Sequence, residues 1–218
     1  MEDVLLTRIY LIRHGQSLGN LERRFLGHTD LDLSELGYIQ AEATATALAD
    51  VKIDAIYSSD LLRAMNTARP HARLRGVDVI PSRALREIYA GKWENLLVDD
   101  IIKGWGDFYK NVWHGRYGEC TVPGGESTLS SGQRFYDEVK RICELHPGET
   151  VLIASHASVI RSFYGIVKGL APSSFATETV FPANASYSIF NYEEGKFNVE
   201  AYSCDEHLKD VGITKVNF

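Results

Sequence analysis

The chain has 218 residues, enough for one domain that buries a substantial core without disulfide or metal staples. Apolar residues make up 44% and charged residues 24%, a balance that excludes an extended disordered chain. Against 29 Asp and Glu there are 23 Lys and Arg, a net charge of −6, which argues against a nucleic-acid or anionic-membrane binder driven by bulk charge and leaves room only for a local basic pocket.

Cys120, Cys143 and Cys204 stand far apart, are odd in number and form no C-x-x-C, so neither a disulfide framework nor a cysteine zinc site is expected. That usage fits a reducing, cytoplasmic setting. The opening residues carry acids where a secretory signal has basic residues, and no apolar run reaches the length of a membrane span.

In chain order, residues 9–12 form a short apolar run, a buried strand that leads directly into Arg13-His14-Gly15. Residues 34–50 have helical spacing, with Ser34 at the N-cap position and Ala41, Ala45, Leu48 and Ala49 on one face. A second strand is expected over 53–57. Ser58-Ser59-Asp60 then caps a helix carrying Leu61, Arg63 and Ala64, which Pro70 should kink or end. A third strand follows over 77–80. The segment 87–126, with Trp93, Trp105, Trp113, several glycines and a helical patch near 98–102, reads as a lid.

Phe135, Val139, Ile142 and Leu145 then recur at helical spacing, and Pro147-Gly148 ends that helix. A fourth strand over 151–154 leads into Ser155-His156, and Ser158 opens a helix to about Lys168. Two last strands, 186–190 and 197–202, are joined at Glu194-Gly195. This alternation implies a single α/β domain over 1–218: a three-layer α/β/α sandwich with a mostly parallel central sheet, helices on both faces and a lid insertion at about 88–126. In such sheets ligands sit at the carboxyl ends of the strands, the edge that holds both Arg13-His14 and Ser155-His156.

A charged pair directly after a buried strand is costly without a partner or a task. By itself Arg13-His14 also fits a pair satisfied by neighbouring carboxylates. The second strand-end histidine, His156, changes that balance, because two parallel strand ends converge on one cleft. The remaining histidines follow no metal-ligand spacing. Two histidines among arginines suit an oxyanion, since the planar guanidinium fork matches phosphate oxygens.

Leu11-Ile12-Arg13-His14-Gly15-Gln16-Ser17, followed by Asn20, resembles the signature of the histidine phosphatase superfamily, the phosphoglycerate mutase-like proteins. Four further pieces occur in that family's order: Ser58-Ser59-Asp60-Leu61-Leu62-Arg63-Ala64 with Thr67-Ala68; Leu85-Arg86-Glu87 with Gly91 and Trp93-Glu94; Pro123-Gly124-Gly125-Glu126-Ser127; and Ser155-His156. Ala157 and Asn95 stand where the family often has glycine.

The resemblance implies that His14 is a nucleophile that takes up the phosphoryl group, its second ring nitrogen held by a backbone carbonyl such as that of Gly15. It implies that Arg13, Arg63 and His156 clamp the phosphoryl oxygens. Glu87 would exchange the proton with the leaving oxygen and the attacking water, in a cleft walled by Trp93. Gln16, Ser17, Asn20 and Ala157 would line the phosphate, and no metal or cofactor is implied. Pairing of Glu87 with Arg83 or Arg86, and helix capping by Glu126 and Ser127, are the ordinary alternatives for those residues.

The lid residues Lys103, Lys110 and Arg116 are matched by Asp99, Asp100, Asp107 and Glu119, so the lid adds no net positive field for a doubly phosphorylated intermediate. The expectation is a metal-independent phosphomonoesterase acting on a small phosphorylated metabolite through a phosphohistidine. The alternatives are a cofactor-dependent phosphoglycerate mutase and a non-catalytic phosphate-binding module. The expected partners are the small phosphorylated substrate and, as an option, a second copy of the chain in a homodimer, with neither nucleic acid nor membrane.

Overall fold

The structure is a computed structural model and describes residues 5–113 and 121–215, with the side chains of 111–113 and 176 outside the described set. The expectations for the Trp113 side chain, His114, Arg116, Glu119 and Cys120 therefore fall outside the described residues.

The elements run β1 (Thr7–Arg13), α1 (Leu18–Leu21), β2 (Arg24–Phe25), α2 (Glu35–Ala47), β3 (Ala55–Ser59), α3 (Leu62–Arg75), β4 (Val79–Ser82), β5 (Leu96–Leu97), α4 (Val98–Trp113), α5 (Thr128–Leu145), β6 (Thr150–Ser155), α6 (Ala157–Val167), α7 (Phe175–Glu178), β7 (Tyr187–Glu193) and β8 (Lys196–Cys204). Six strands form the main sheet in the order β4-β3-β6-β1-β7-β8. The first four are parallel, and β7 and β8 add an antiparallel edge. β2 and β5 make a separate two-stranded ribbon.

Alternation along β1 sends its side chains to two cores. Ile9 and Leu11 join Val151, Ile153, Phe135, Val139, Phe163 and Phe190 on the face covered by α5 and α6. Tyr10 and Ile12 join Ile56, Leu152, Ala154, Leu48 and Ala68 on the face covered by α2 and α3. This is the expected three-layer arrangement. Ser34 caps α2, its Oγ accepting from the Gly37 amide at 3.1 Å.

Three local expectations need correction. Pro70 does not end α3, which runs through it to Arg75 and stops at Gly76 in the left-handed region, φ +66°. Pro70 removes a single hydrogen bond, while the helix buries Ala64, Ala68 and Ala72 on either side of it, so packing overrides the breaker. Asp60 does not cap α3 either. Its carboxylate takes a two-point bond from Arg86, 2.6 Å at each oxygen, and Asp30 from a distant loop accepts the Leu62 amide at 2.7 Å. Finally, the patch near 98–102 belongs to the longer α4, bent at Gly106 (φ 41°, ψ −114°).

The described residues of the segment 88–126 pack as a satellite core: Ile88, Ala90, Trp93, Val98, Ile101, Tyr109 and Val122 gather with Phe25, and Trp105 and Phe108 pack against them. Trp93 is its fully buried centre, edge-on to Phe25 and Trp105 with centroids 5.7 and 5.8 Å away. Asn95, at φ +61°, takes the left-handed turn that a glycine would otherwise make, a conformation asparagine tolerates well. Among the described residues no helix is long and apolar enough to cross a membrane.

Candidate active site

The parallel register Arg13↔Ser155 between β1 and β6 places the residues that follow, His14 and His156, side by side at the carboxyl edge of the sheet. Their rings meet edge to face with centroids 5.1 Å apart. β3 ends at the same edge, its Ser58 opposite Ala154, which delivers Ser59 to His156. Gly15 turns the chain against α2. A Cβ there would sit 2.4 Å from the Gly37 carbonyl oxygen, so the motif's glycine is required by a close backbone approach.

His14 is almost fully buried, and its Nδ1 lies 2.7 Å from the Gly15 carbonyl oxygen. A carbonyl only accepts, so Nδ1 carries the proton and Nε2 keeps its lone pair. Burial pushes the His14 pKa well below the ordinary histidine range, and the Arg63 and Arg13 charges push the same way against the Gly15 bond. The imidazole is thus held neutral, the form a nucleophile needs.

His156 Nε2 is 2.8 Å from Ser59 Oγ. Ser59 Oγ also accepts the Leu61 amide at 3.4 Å, so one hydroxyl links His156 to the start of α3. Burial, followed by Arg63 and His14, holds the His156 pKa far down as well. Its Nδ1 is buried without a hydrogen-bond partner, as are Arg13 Nε and Arg63 Nε. Buried polar nitrogens without partners are costly; Arg13 and Arg63 line one cleft, and His156 packs against His14, which lines it too. Burial lowers both arginines to about 10, with Glu87 opposing it in each case, so both stay charged at neutral pH.

The terminal nitrogens of both arginines are tied to backbone carbonyls: Arg13 Nη1 to Pro182, Arg63 Nη1 to Thr29 and Arg63 Nη2 to Gly27, at 2.7, 2.8 and 2.8 Å. Glu87 sits at the N-terminus of α6. Oε2 accepts the Ser158 amide at 3.1 Å, and Oε1 accepts the Val159 and Ile88 amides at 3.3 and 2.9 Å. Arg86 is engaged by Asp60, so the ordinary pairing of Glu87 with that arginine does not occur.

The cleft is lined by Arg13, His14, Asn20, Arg63, Glu87, Ala157 and Ser158 at its polar side, and by Arg24, Phe25, Leu26, Gly27 and Phe181 around its wall. Of the phosphate-lining candidates, Asn20 and Ala157 therefore face the cleft. Ala157 starts α6, where helical backbone accepts alanine. Gln16 and Ser17 are not among the lining residues. Gln16 Oε1 accepts from Ser34 Oγ at 2.7 Å, and Ser17 caps α1 in a reciprocal capping box with Asn20. Trp93 does not wall the cleft, because the satellite core encloses it; Phe25, Leu26 and Phe181 take that place.

Sequence reasoning missed the 181–184 strap. Pro182 holds Arg13, and the Asn184 amide donates to the His14 carbonyl and to Asn20 Oδ1, each at 3.1 Å. No periodicity marks this loop. Ser59 was visible within its motif, but its bond to His156 depends on neighbouring strands. Among the described residues no group of three His, Cys, Asp or Glu is placed to hold a metal ion.

The model of the histidine phosphatase superfamily, branch 1, matches residues 9–205. The chain is 32% identical over 224 residues to phosphoglycerate mutase-like protein 4 of Arabidopsis thaliana, covering 100% of this chain and 94% of that one. It is 30% identical over 211 residues to phosphoserine phosphatase 1 of Hydrogenobacter thermophilus, covering 90% and 99%. Among solved structures, Bacillus stearothermophilus YhfR is similar with a TM-score of 0.88 at 29% identity, covering 93% of this chain and 100% of that one.

Proposed function

The chain belongs to the histidine phosphatase superfamily and is a phosphatase by class; from that premise we propose that it is a metal-independent phosphomonoesterase for a small phosphorylated metabolite, working through a phosphohistidine on His14. The observation that carries this reading is the bond from His14 Nδ1 to the Gly15 carbonyl, which leaves Nε2 as a neutral nucleophile beside the buried Nε–H groups of Arg13 and Arg63, which lack acceptors.

Nε2 attacks phosphorus and forms the N–P bond as the P–O bond to the alcohol breaks. Glu87 gives the departing oxygen its proton. Arg13, Arg63 and His156 bind the phosphoryl oxygens and oppose the charge that spreads over them in transfer. A water then attacks the phosphohistidine while Glu87 takes the water's proton. His14 is regenerated and phosphate leaves.

A mutase must hold a second phosphate, which brings roughly two more negative charges. Lys103 pairs with Asp100 and Lys110 with Asp107 along the outside of α4, at 3.8 and 3.9 Å, with both lysine side chains exposed. Arg24 on the cleft wall is engaged by Glu22 at 2.6 Å. Phe25, Leu26 and Phe181 line the rest of that wall, which suits one phosphate on a partly apolar body.

The test is a rapid quench with a radiolabelled phosphate monoester that the enzyme turns over. The expected result is an acid-labile, base-stable protein adduct that His14→Ala abolishes. With phosphoglycerate and a trace of bisphosphoglycerate, phosphate release should outpace isomerisation. No adduct during turnover, or isomerisation far ahead of release, would replace this reading.

A further inference from the structure

Arg63 is 1% exposed, and the two terminal nitrogens of its guanidinium donate to carbonyls of a single loop, those of Gly27 and Thr29. The direction of its remaining Nε–H is therefore set by where those two carbonyls stand. The loop has no helix or strand of its own; a turn bond from the Thr29 amide to the Leu26 carbonyl at 2.8 Å and a contact of His28 Nε2 with the Glu87 carbonyl at 2.9 Å hold part of it.

One carboxylate ties the loop down further. Glu94 Oε1 accepts the amides of His28 at 2.9 Å and Ala90 at 2.8 Å. Glu94 Oε2 accepts the Thr29 amide at 2.7 Å and the Thr29 hydroxyl at 2.8 Å. Four bonds to one carboxylate thus span the residues between the two carbonyls and tie them to residue 90. Charge-assisted bonds of this kind are stronger than neutral ones. The loop closes so tightly on Glu94 that a Cβ at Gly27, whose φ is +52°, would sit 1.9 Å from Oε1. Glu94 itself is not among the residues lining the cleft.

We propose that Glu94 is the positioning residue for Arg63: it fixes the loop 27–29 so that the guanidinium presents Nε to the phosphoryl group. This rests on the reading of Arg63 as a phosphate clamp. A Gln at position 94 keeps the size, but its NH₂ group faces amides that are themselves donors, so the loop loses acceptors where it most needs them. An error of about 1 Å in a clamp costs as much as a hundredfold in rate.

The test is a double-mutant cycle of Glu94→Gln with Arg63→Lys, read by orthovanadate affinity and by kcat and KM on an aryl phosphate. In the wild-type background Glu94→Gln should weaken vanadate binding and lower kcat by about tenfold to a hundredfold. In the Arg63→Lys background it should add less than about threefold to the loss, because the group it positions is already changed. Thr29→Val, which removes only the hydroxyl bond, gives a milder second variant, with a loss of about threefold that also vanishes in the Arg63→Lys background. Equal losses in both backgrounds for either variant would make Glu94 a general structural residue and overturn the proposal, as would vanadate binding unchanged by Glu94→Gln. A wild-type enzyme that fails to bind vanadate at all would instead remove the phosphate-clamp reading, and this proposal with it.

Discussion

Replacing His71 with Leu should flatten the acid end of the stability profile. His71 lies on the buried face of α3, fully enclosed, and neither ring nitrogen has a hydrogen-bond partner. Burial lowers its pKa to about 3, and the charges of Arg75 and His207 push the same way. In the unfolded chain it titrates near 6.5. The folded value is the lower one, so below about pH 6.5 the unfolded state binds the extra proton and stability is lost as pH falls. At pH 5 the unfolded imidazole is almost wholly protonated and the folded one is not, which is a loss of about 2 kcal/mol from this residue, rising to about 4 kcal/mol near pH 3. For a domain of this size 2 kcal/mol is roughly 4–8 °C in Tm.

His14 and His156 are shifted in the same direction, so the wild-type profile is steeper than His71 alone would make it. The difference between wild type and His71→Leu isolates the one residue. Leucine fills a similar volume and breaks no bond of the ring, so the variant should be at least as stable at neutral pH. Urea unfolding at pH 7.5 and pH 5 measures it: the drop between the two should be about 2 kcal/mol smaller in the variant, with m unchanged. An equal drop in both proteins would refute the reasoning.

Glu87→Gln should lower kcat on an alkyl phosphate by about 10²- to 10⁴-fold and by much less on an activated aryl phosphate, whose leaving oxygen hardly needs a proton. Steady-state rates on the two substrates decide it, and equal losses would make Glu87 a binding or structural residue. Dialysis against a chelator should leave turnover intact, because Arg13 and Arg63 already supply donors and positive charge to the cleft. Loss of activity that magnesium restores would count against the metal-independent mechanism.

Some of this protein was decided by local chemistry, and there the sequence sufficed. The continuous apolar run that ends in Arg13-His14, and the second run that ends in Ser155-His156, dictate two buried strands with chemistry at one edge. Ser34 caps its helix because a side-chain oxygen reaches an amide three residues on, a bond wholly internal to the segment. The ordered motifs around His14, Arg63, Glu87 and His156 marked the residues that the cleft brings together.

What the sequence did not determine depends on partners far along the chain. Pro70 stays in mid-helix because buried packing outweighs one missing hydrogen bond. Asp60 leaves its local capping role for Arg86, 26 residues away, while Asp30 caps the helix from 32 residues away. Trp93 could have walled the cleft or filled a core, and only the folding of α4 over it encloses it. The ring nitrogens of His14 and His156 are held by a carbonyl and a hydroxyl. The first is the neighbouring residue's, the second lies 97 residues away on another strand. Arg13 and Arg63 are aimed by carbonyls 169, 34 and 36 residues distant. A sequence pattern reports the periods of 2 and 3.6 that local burial imposes. The acceptors that orient a buried charge are set by which strands and loops become neighbours, and that is a property of the tertiary fold alone.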